Sequence, residues 1–310
     1  MTDPLDSLNN LLEPARAFMH LDAEDAEFSG ARVVVVPVPF DGTTCYRPGA
    51  REGPQAIIDA SRNLELYDAE LGRSPYTVGI HTLRAVEIIN GDAEAMVRRV
   101  EDVVGRLVDA GKWTLTLGGD HLVAIGAIRA HAARHPGLSV LQFDAHADLR
   151  DDYEGAHYSA ATVMRRTMEC CSRIAQVGIR SLSEPEARLV MERHIPQFLA
   201  ATIHEQVAAG QTDWIDAVLA ALGDDVYITF DIDCFDPALV PGTGTPEPGG
   251  LGWYDAMRLL TAVAARKRVV GADVVELSPL LEGHTSPVLA AKLAYKMVGL
   301  FVRDDAQPER

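Results

Sequence analysis

Basic residues are scarce in this chain. Its 310 residues carry 28 Lys and Arg against 45 Asp and Glu, a formal net charge of −17. Nucleic acid and anionic membrane surfaces are bound through clustered positive charge, so the balance argues against both as partners. It suits a cationic small molecule better. No apolar run is long enough to cross a bilayer. Residues 1–27 lack the basic-then-apolar order of a secretory leader, so a cytoplasmic setting is expected. Cysteine is also sparse: Cys45, Cys170, Cys171 and Cys234 form no Cys-x-x-Cys pair, which excludes a thiolate metal site of that kind. They read as reduced thiols, with Cys234 as a small packing residue. No Pro/Gly/Ser-rich linker, low-complexity tract or repeat divides the chain. The expected organisation is an N-terminal arm over 1–28 and a single domain over 29–310. Hydrophobic content of 47% is enough for a sizeable core.

What is present is an alternation of strand-like and helix-like segments. Strands are expected at Val33–Val36, Trp113–Leu117, Leu138–Phe143, Ile174–Ile179, Gln197–Ala200, Val226–Phe230 and Val269–Glu276. Helices are expected near Leu5–Leu12, from Pro54, and over Asp92–Ala110, Leu122–Arg134, Ala161–Cys171, Asp213–Leu222, Trp253–Arg266 and Ser286–Phe301. A capping box at Ser183 and Glu186 starts another, running to about His194. The strands are continuous apolar runs, the pattern of a parallel sheet covered on both faces. Sites in such folds lie beyond the carboxyl ends of the strands.

Three strand ends carry chemistry. Residues two apart share a face of an extended segment, so Asp144, His146 and Asp148 point one way as the Leu138–Phe143 strand runs out. Asp231 and Asp233 repeat that spacing after Val226–Phe230, and Gly118-Gly119-Asp120-His121 follows Trp113–Leu117. A single Asp after a strand is ordinarily a turn former or cap. The set is harder to explain that way, because so many carboxylates at one sheet edge repel unless cations neutralise them. Two divalent metal ions would do so.

Gly-Gly-Asp-His at 118–121, Phe-Asp-Ala-His-Ala-Asp at 143–148 and Phe-Asp-Ile-Asp-Cys-Phe-Asp-Pro at 230–237 resemble the three signatures of the ureohydrolases, the arginase and agmatinase superfamily. The resemblance runs from about Val34 to Phe301. It implies an α/β fold, a three-layer α/β/α sandwich with a mostly parallel sheet of about eight strands. It also implies a homo-oligomer, trimer or hexamer. By motif, His121 and Asp148 hold one metal, His146 and Asp233 the other, and Asp144 and Asp231 bridge both. The oxygen-rich set favours two Mn²⁺ per chain. Water activated between the ions attacks a guanidinium carbon, and Asp148 passes a proton to the leaving amine. Glu276, in a Glu-Leu-Ser-Pro context, resembles the residue that grips the guanidinium.

The substrate implied is a small guanidino compound. Arg47-Pro48-Gly49-Ala50-Arg51, the Pro241–Gly250 segment and Val163–Arg166 resemble agmatinases more than arginases. The acids of Leu149–Gly155 suit a polyamine tail. Agmatine, cleaved to putrescine and urea, is the favoured substrate, with aminopropylagmatine a close second. Another guanidino or formimino compound, or a polyamine-binding relative without turnover, are the alternatives. One position departs from the family: related sequences read Tyr-Ser-His-Ala where this chain reads Tyr158-Ser159-Ala160-Ala161. Reduced activity is therefore expected, with His157 as a candidate replacement in substrate binding.

Overall fold

A computed structural model of the chain describes residues 16–279 and 284–303. The helix expected near Leu5–Leu12 lies outside the described residues. Eight strands form one sheet: β1 Val33–Val38, β2 Ile80–Thr82, β3 Trp113–Gly118, β4 Ser139–Phe143, β5 Arg173–Ile179, β6 Gln197–Leu199, β7 Asp225–Asp231 and β8 Arg268–Val275. Their order is β2-β1-β3-β8-β7-β4-β5-β6, and all the pairings between them are parallel.

The helices are α1 Ala23–Ala26, α2 Gly53–Ser61, α3 Ala93–Asp109, α4 Val123–Ala132, α5 Val163–Thr167, α6 Glu184–Arg193, α7 Ala200–Ala208, α8 Asp213–Ala221, α9 Trp253–Arg266 and α10 Thr285–Phe301. Alternate residues of each strand feed opposite faces, as the pleat requires. Val33 and Val35 of β1 join an apolar layer with residues of α2, α7, α8, α9 and α10. Val34 and Val36 join a second layer with residues of α3, α4 and α5. The result is the three-layer α/β/α sandwich. Helices α3 and α4 pack closely because Gly126 has no side chain: a Cβ there would lie 2.4 Å from the Val97 carbonyl oxygen.

Three local features differ from the sequence reading. The edge strand β2 was not foreseen, since three residues are too few for periodicity to register. Helix α7 begins where β6 was expected to be ending. The Ala161–Cys171 helix is instead a 3₁₀ turn at Ala160–Thr162 followed by the short α5. In the stretch read as an arm, Phe18 and Met19 are buried. Their backbone N–H groups donate to the Thr82 and Ser61 hydroxyls at 3.0 and 2.7 Å.

Candidate metal centre and active site

The sheet order brings the motifs together. Strands β3, β8, β7 and β4 lie side by side, and their carboxyl ends carry His121, Glu276, Asp231 with Asp233, and Asp144 to Asp148. Glycine makes the first motif possible. A Cβ on Gly119 would sit 1.8 Å from the Phe40 carbonyl oxygen, so no side chain fits. With that approach open, Asp120 N–H donates to Phe40 O at 2.7 Å and Glu276 N–H to Gly119 O at 2.8 Å. These bonds tie the ends of β1, β3 and β8 into one rim.

Backbone donors hold the carboxylates. Asp144 accepts from His146 N–H at 2.6 Å and from Gln142 Nε2 at 2.7 Å. Asp231 accepts from Asp233 N–H at 2.9 Å, and Asp233 from Ala145 N–H at 3.0 Å. Asp148 and Glu276 take left-handed backbone conformations, φ 52° and 64°. Such conformations are costly outside glycine and concentrate at functional sites.

The ligand atoms converge in two groups. His121 with Asp144 and Asp231 forms one, and Asp144 with His146 and Asp233 the other; within each group the ligand atoms lie within 4.8 Å of one another. Asp144 belongs to both. His121 Nδ1 lies 3.0 Å from Asp148 Oδ2, 3.2 Å from Asp144 Oδ2 and 3.5 Å from Asp231 Oδ2. It is buried among them without the alignment of a hydrogen bond to any. His146 Nδ1 is 3.0 Å from Asp233 Oδ2 and 3.5 Å from Asp144 Oδ1.

Charge here is out of balance. Burial pushes Asp148 up to about 7, reinforced by Asp144. Burial also raises Asp231 well above the carboxylate range, helped by Asp233 and Asp144, and raises Glu276 likewise, helped by Asp120. For His121 burial alone would lower the pKa, but Asp144 and Asp148 raise it well above its ordinary value. For His146, burial is likewise outweighed by Asp233 and Asp144, and the pKa rises to about 12. Without other cations the site must recruit imidazolium or protonate its acids. An unpartnered buried imidazole nitrogen inside an oxygen-rich cluster, with no thiolate, is a donor set that fits divalent ions.

All six expected ligands and Glu276 are brought to one place. His121, His146, Asp148, Asp231 and Glu276 line a cavity of about 330 Å³, together with Thr44, Cys45, Tyr46, Arg150, Tyr153, Ala160 and Glu186 among others. His157 is placed elsewhere. Its ring takes a short contact from the Arg166 guanidinium, which also pairs with Asp151 at 2.5 Å and Glu169 at 2.7 Å. His157 is not among the residues lining the cavity, so the structure does not bring it to the position vacated at Ala160. The acidic loop differs similarly from the sequence reading. Asp151 turns to Arg165 and Arg166, and the loop faces the cavity with Arg150 and Tyr153, whose guanidinium and ring lie 5.4 Å apart.

Two roles were not visible in the sequence. Asp120, fully buried, accepts from Thr43 N–H at 2.7 Å and from its hydroxyl at 2.9 Å. The same hydroxyl accepts from Ala160 N–H at 3.1 Å. Asp120 therefore anchors the loop after β1 and, through it, the backbone beside the cavity. Glu186 completes the expected capping box by accepting from Ser183 N–H at 2.7 Å. It also accepts from Leu149 N–H at 2.9 Å and forms part of the cavity wall. Position in a Gly-Gly-Asp-His run marks Asp120 as important but not as an anchor, and nothing in the spacing of Glu186 points beyond the cap. Cys45 also lines the cavity, but burial, with Asp148 and Glu276 nearby, pushes its thiol up to about 12, so it is a neutral thiol.

The chain is similar to known proteins along nearly its whole length. The sequence profile of the Arginase family matches residues 31–299. The chain is 42% identical to an N(1)-aminopropylagmatine ureohydrolase of Thermus thermophilus, over 89% of this chain and 92% of that protein. It is 34% identical to an agmatinase of Bacillus anthracis, over 87% and 92% respectively. Among solved structures, an agmatine ureohydrolase of Thermoplasma volcanium superposes with a TM-score of 0.84 at 31% identity, covering 95% of this chain and 97% of that one.

Proposed function

The chain belongs to the arginase family, and from that premise we propose that it hydrolyses the guanidinium group of a cationic polyamine, releasing urea and the parent amine. It is a hydrolase acting on the C–N bonds of linear amidines. The observation that carries the reading is the cavity in which His121, His146, Asp148, Asp231 and Glu276 meet. The higher identity to an aminopropylagmatine ureohydrolase, 42% against 34% to an agmatinase, supports N(1)-aminopropylagmatine ahead of agmatine. The amine left from the longer substrate is spermidine, and from agmatine it is putrescine. A place in polyamine synthesis follows from either product. A cytoplasmic setting and a homo-oligomer, trimer or hexamer, are part of the same proposal, as is a single catalytic domain over 29–310.

Two Mn²⁺ ions are the cofactor we assign to the paired ligand groups. His121 and Asp148 would hold one, His146 and Asp233 the other, with Asp144 and Asp231 shared. When bound, divalent ions supply Lewis acidity and a water nucleophilic near neutral pH. The chain's own residues do the rest. Glu276 faces the cavity as the carboxylate for the guanidinium, a charge-assisted pair that fixes the carbon under attack. Asp148 lies where it can take a proton and return it to the leaving amine. Ala160 contributes no proton carrier, so turnover is slower than a histidine there would allow. The amine tail runs toward Tyr46, Tyr153 and Glu186, which offer aromatic faces and a carboxylate to a cation.

The test is urea release by the Mn²⁺-loaded protein from N(1)-aminopropylagmatine, agmatine, arginine and guanidinobutyrate, compared as kcat/KM. The two polyamine guanidines are expected to lead, the longer one first. Preference for arginine or guanidinobutyrate would overturn the tail assignment. Tight polyamine binding without urea would leave a binding protein in place of an enzyme.

A further inference from the structure

Behind the metal-facing side of His121 runs a buried polar chain. Its other ring nitrogen, Nε2, lies 2.8 Å from the Thr229 hydroxyl. That hydroxyl donates to Asp273 Oδ1 at 2.8 Å, and Phe230 N–H donates to the same oxygen at 3.2 Å. Strand register sets the contact, since Thr229 of β7 and Asp273 of β8 are directly paired. His121 is 1% exposed, and Thr229 and Asp273 are fully buried.

The arrangement is an expensive one. Asp273 sits in mid-strand, with no Lys or Arg at ion-pair distance among the described residues. The Tyr227 hydroxyl lies beside Asp273 and Thr116 beside Tyr227, but Asp273 Oδ2 and both hydroxyls lack a well-aligned hydrogen bond. Removing a carboxylate from water is strongly unfavourable unless positive charge lies near it, and here that charge comes only from the His121 side of the site. Fold maintenance alone does not account for it.

We infer that Thr229 and Asp273 are positioning residues for His121, forming a relay that presents Nδ1 to a divalent ion; the inference rests on the metal reading above. Asp273 as a carboxylate only accepts, so Thr229 spends its one proton on it. The Thr229 oxygen can then only accept from His121, which places the imidazole proton on Nε2. The lone pair is thereby left on Nδ1, the atom already among Asp144, Asp148 and Asp231. Ligand imidazoles are commonly oriented by such an outer partner, and its loss typically costs roughly 10–100-fold in metal affinity. Here the partner carboxylate acts at one remove, through a threonine hydroxyl.

The experiment titrates metal-free protein with Mn²⁺ by calorimetry, and measures thermal unfolding of the metal-free form in parallel. Thr229→Val keeps the shape and removes the hydroxyl. It is expected to weaken one of the two Mn²⁺ sites by roughly 10–100-fold, while Thr229→Ser restores wild-type affinity. Asp273→Asn keeps the shape but loses the charge, and is expected to weaken the same site less. It also serves as the reading if Thr229→Val does not fold. A purely structural role would lower the unfolding temperature of the metal-free variants and leave Mn²⁺ affinity alone. Wild-type Mn²⁺ affinity at both sites in Thr229→Val, or in Asp273→Asn where only that variant folds, overturns the relay and leaves the metal reading standing. Failure of the unaltered protein to take up Mn²⁺ overturns both.

Discussion

The backbone N–H of His121 donates to Glu276 Oε1 at 2.7 Å. The strand end that carries a proposed metal ligand and the acid assigned to the guanidinium are therefore one hydrogen-bonded unit. The bond engages one carboxylate oxygen of a residue that also lines the cavity.

That pairing of roles makes Glu276→Gln informative. The glutamine carbonyl can still accept from His121 N–H, so the rim and the proposed metal ligands keep their places. The cavity then receives a neutral amide where a carboxylate stood. Losing one partner of a buried charged pair costs about 2–5 kcal/mol, or roughly 30- to 5,000-fold in kcat/KM. Mn²⁺ content by elemental analysis is expected to be unchanged. Near-normal kcat/KM in this variant would remove Glu276 from the substrate site.

A second prediction concerns stability below neutral pH and a histidine remote from the cavity. His131 on α4 is fully buried. Its Nε2 lies 2.9 Å from the Thr114 hydroxyl, and its ring packs on Tyr227 and His135 at 5.1 and 5.9 Å between centroids. Burial, then the nearby His135 and Arg134, lowers its pKa from 6.5 to about 3. The folded state thus stays unprotonated where the unfolded chain takes up a proton. Its contribution to stability is whole above pH 6.5 and is lost as pH falls from 6.5 toward 3. Between pH 7.5 and 5.5 the loss is roughly 1.4 kcal/mol. His131→Gln keeps a polar group for Thr114 and cannot titrate. Denaturant unfolding of metal-free protein at the two pH values is expected to show a smaller drop for the variant by that amount. Equal drops would mean that His131 is not the group responsible.

The convergence of the candidate ligands was largely legible in the sequence because most of them sit at strand ends two residues apart, a spacing that pleating alone converts into a shared direction. The sheet order that sets β3, β8, β7 and β4 side by side is not local information, and only the repeated motifs hinted at it. Asp144, His146 and Asp148 were therefore readable as a group. Asp273 was not: inside Val269–Glu276 it is one acid in an apolar run, and its partner Thr229 is 44 positions away in sequence. The acidic loop misled for a related reason. Asp151 is claimed by Arg165 and Arg166 of the next helix, an ion-pair choice that composition cannot rank.

The remaining prediction turns on Ala160, which lines the cavity beside Asp148 and Glu276. Its backbone is fixed independently of its side chain. Ala160 N–H donates to Thr43, and Ser159 and Thr162 close a reciprocal capping pair around it. A larger side chain at this position therefore enters the cavity without needing the loop to refold. Ala160→His restores the Tyr-Ser-His-Ala motif and adds an acid–base group near the leaving amine. A positioned group of this kind contributes roughly 10²–10⁴-fold. With part of the proton traffic assigned to Asp148 in the proposed reaction, the expected gain in kcat lies at or below the lower end of that range. A new limb near neutral pH should appear in the kcat profile, because a histidine titrates there. His157→Ala supplies the control. With its ring held against Arg166 outside the cavity, its loss is expected to leave kcat nearly unchanged. If His157→Ala instead abolishes turnover, His157 reaches the substrate during the reaction. If Ala160→His changes neither kcat nor its pH dependence, this position carries no proton traffic in this enzyme.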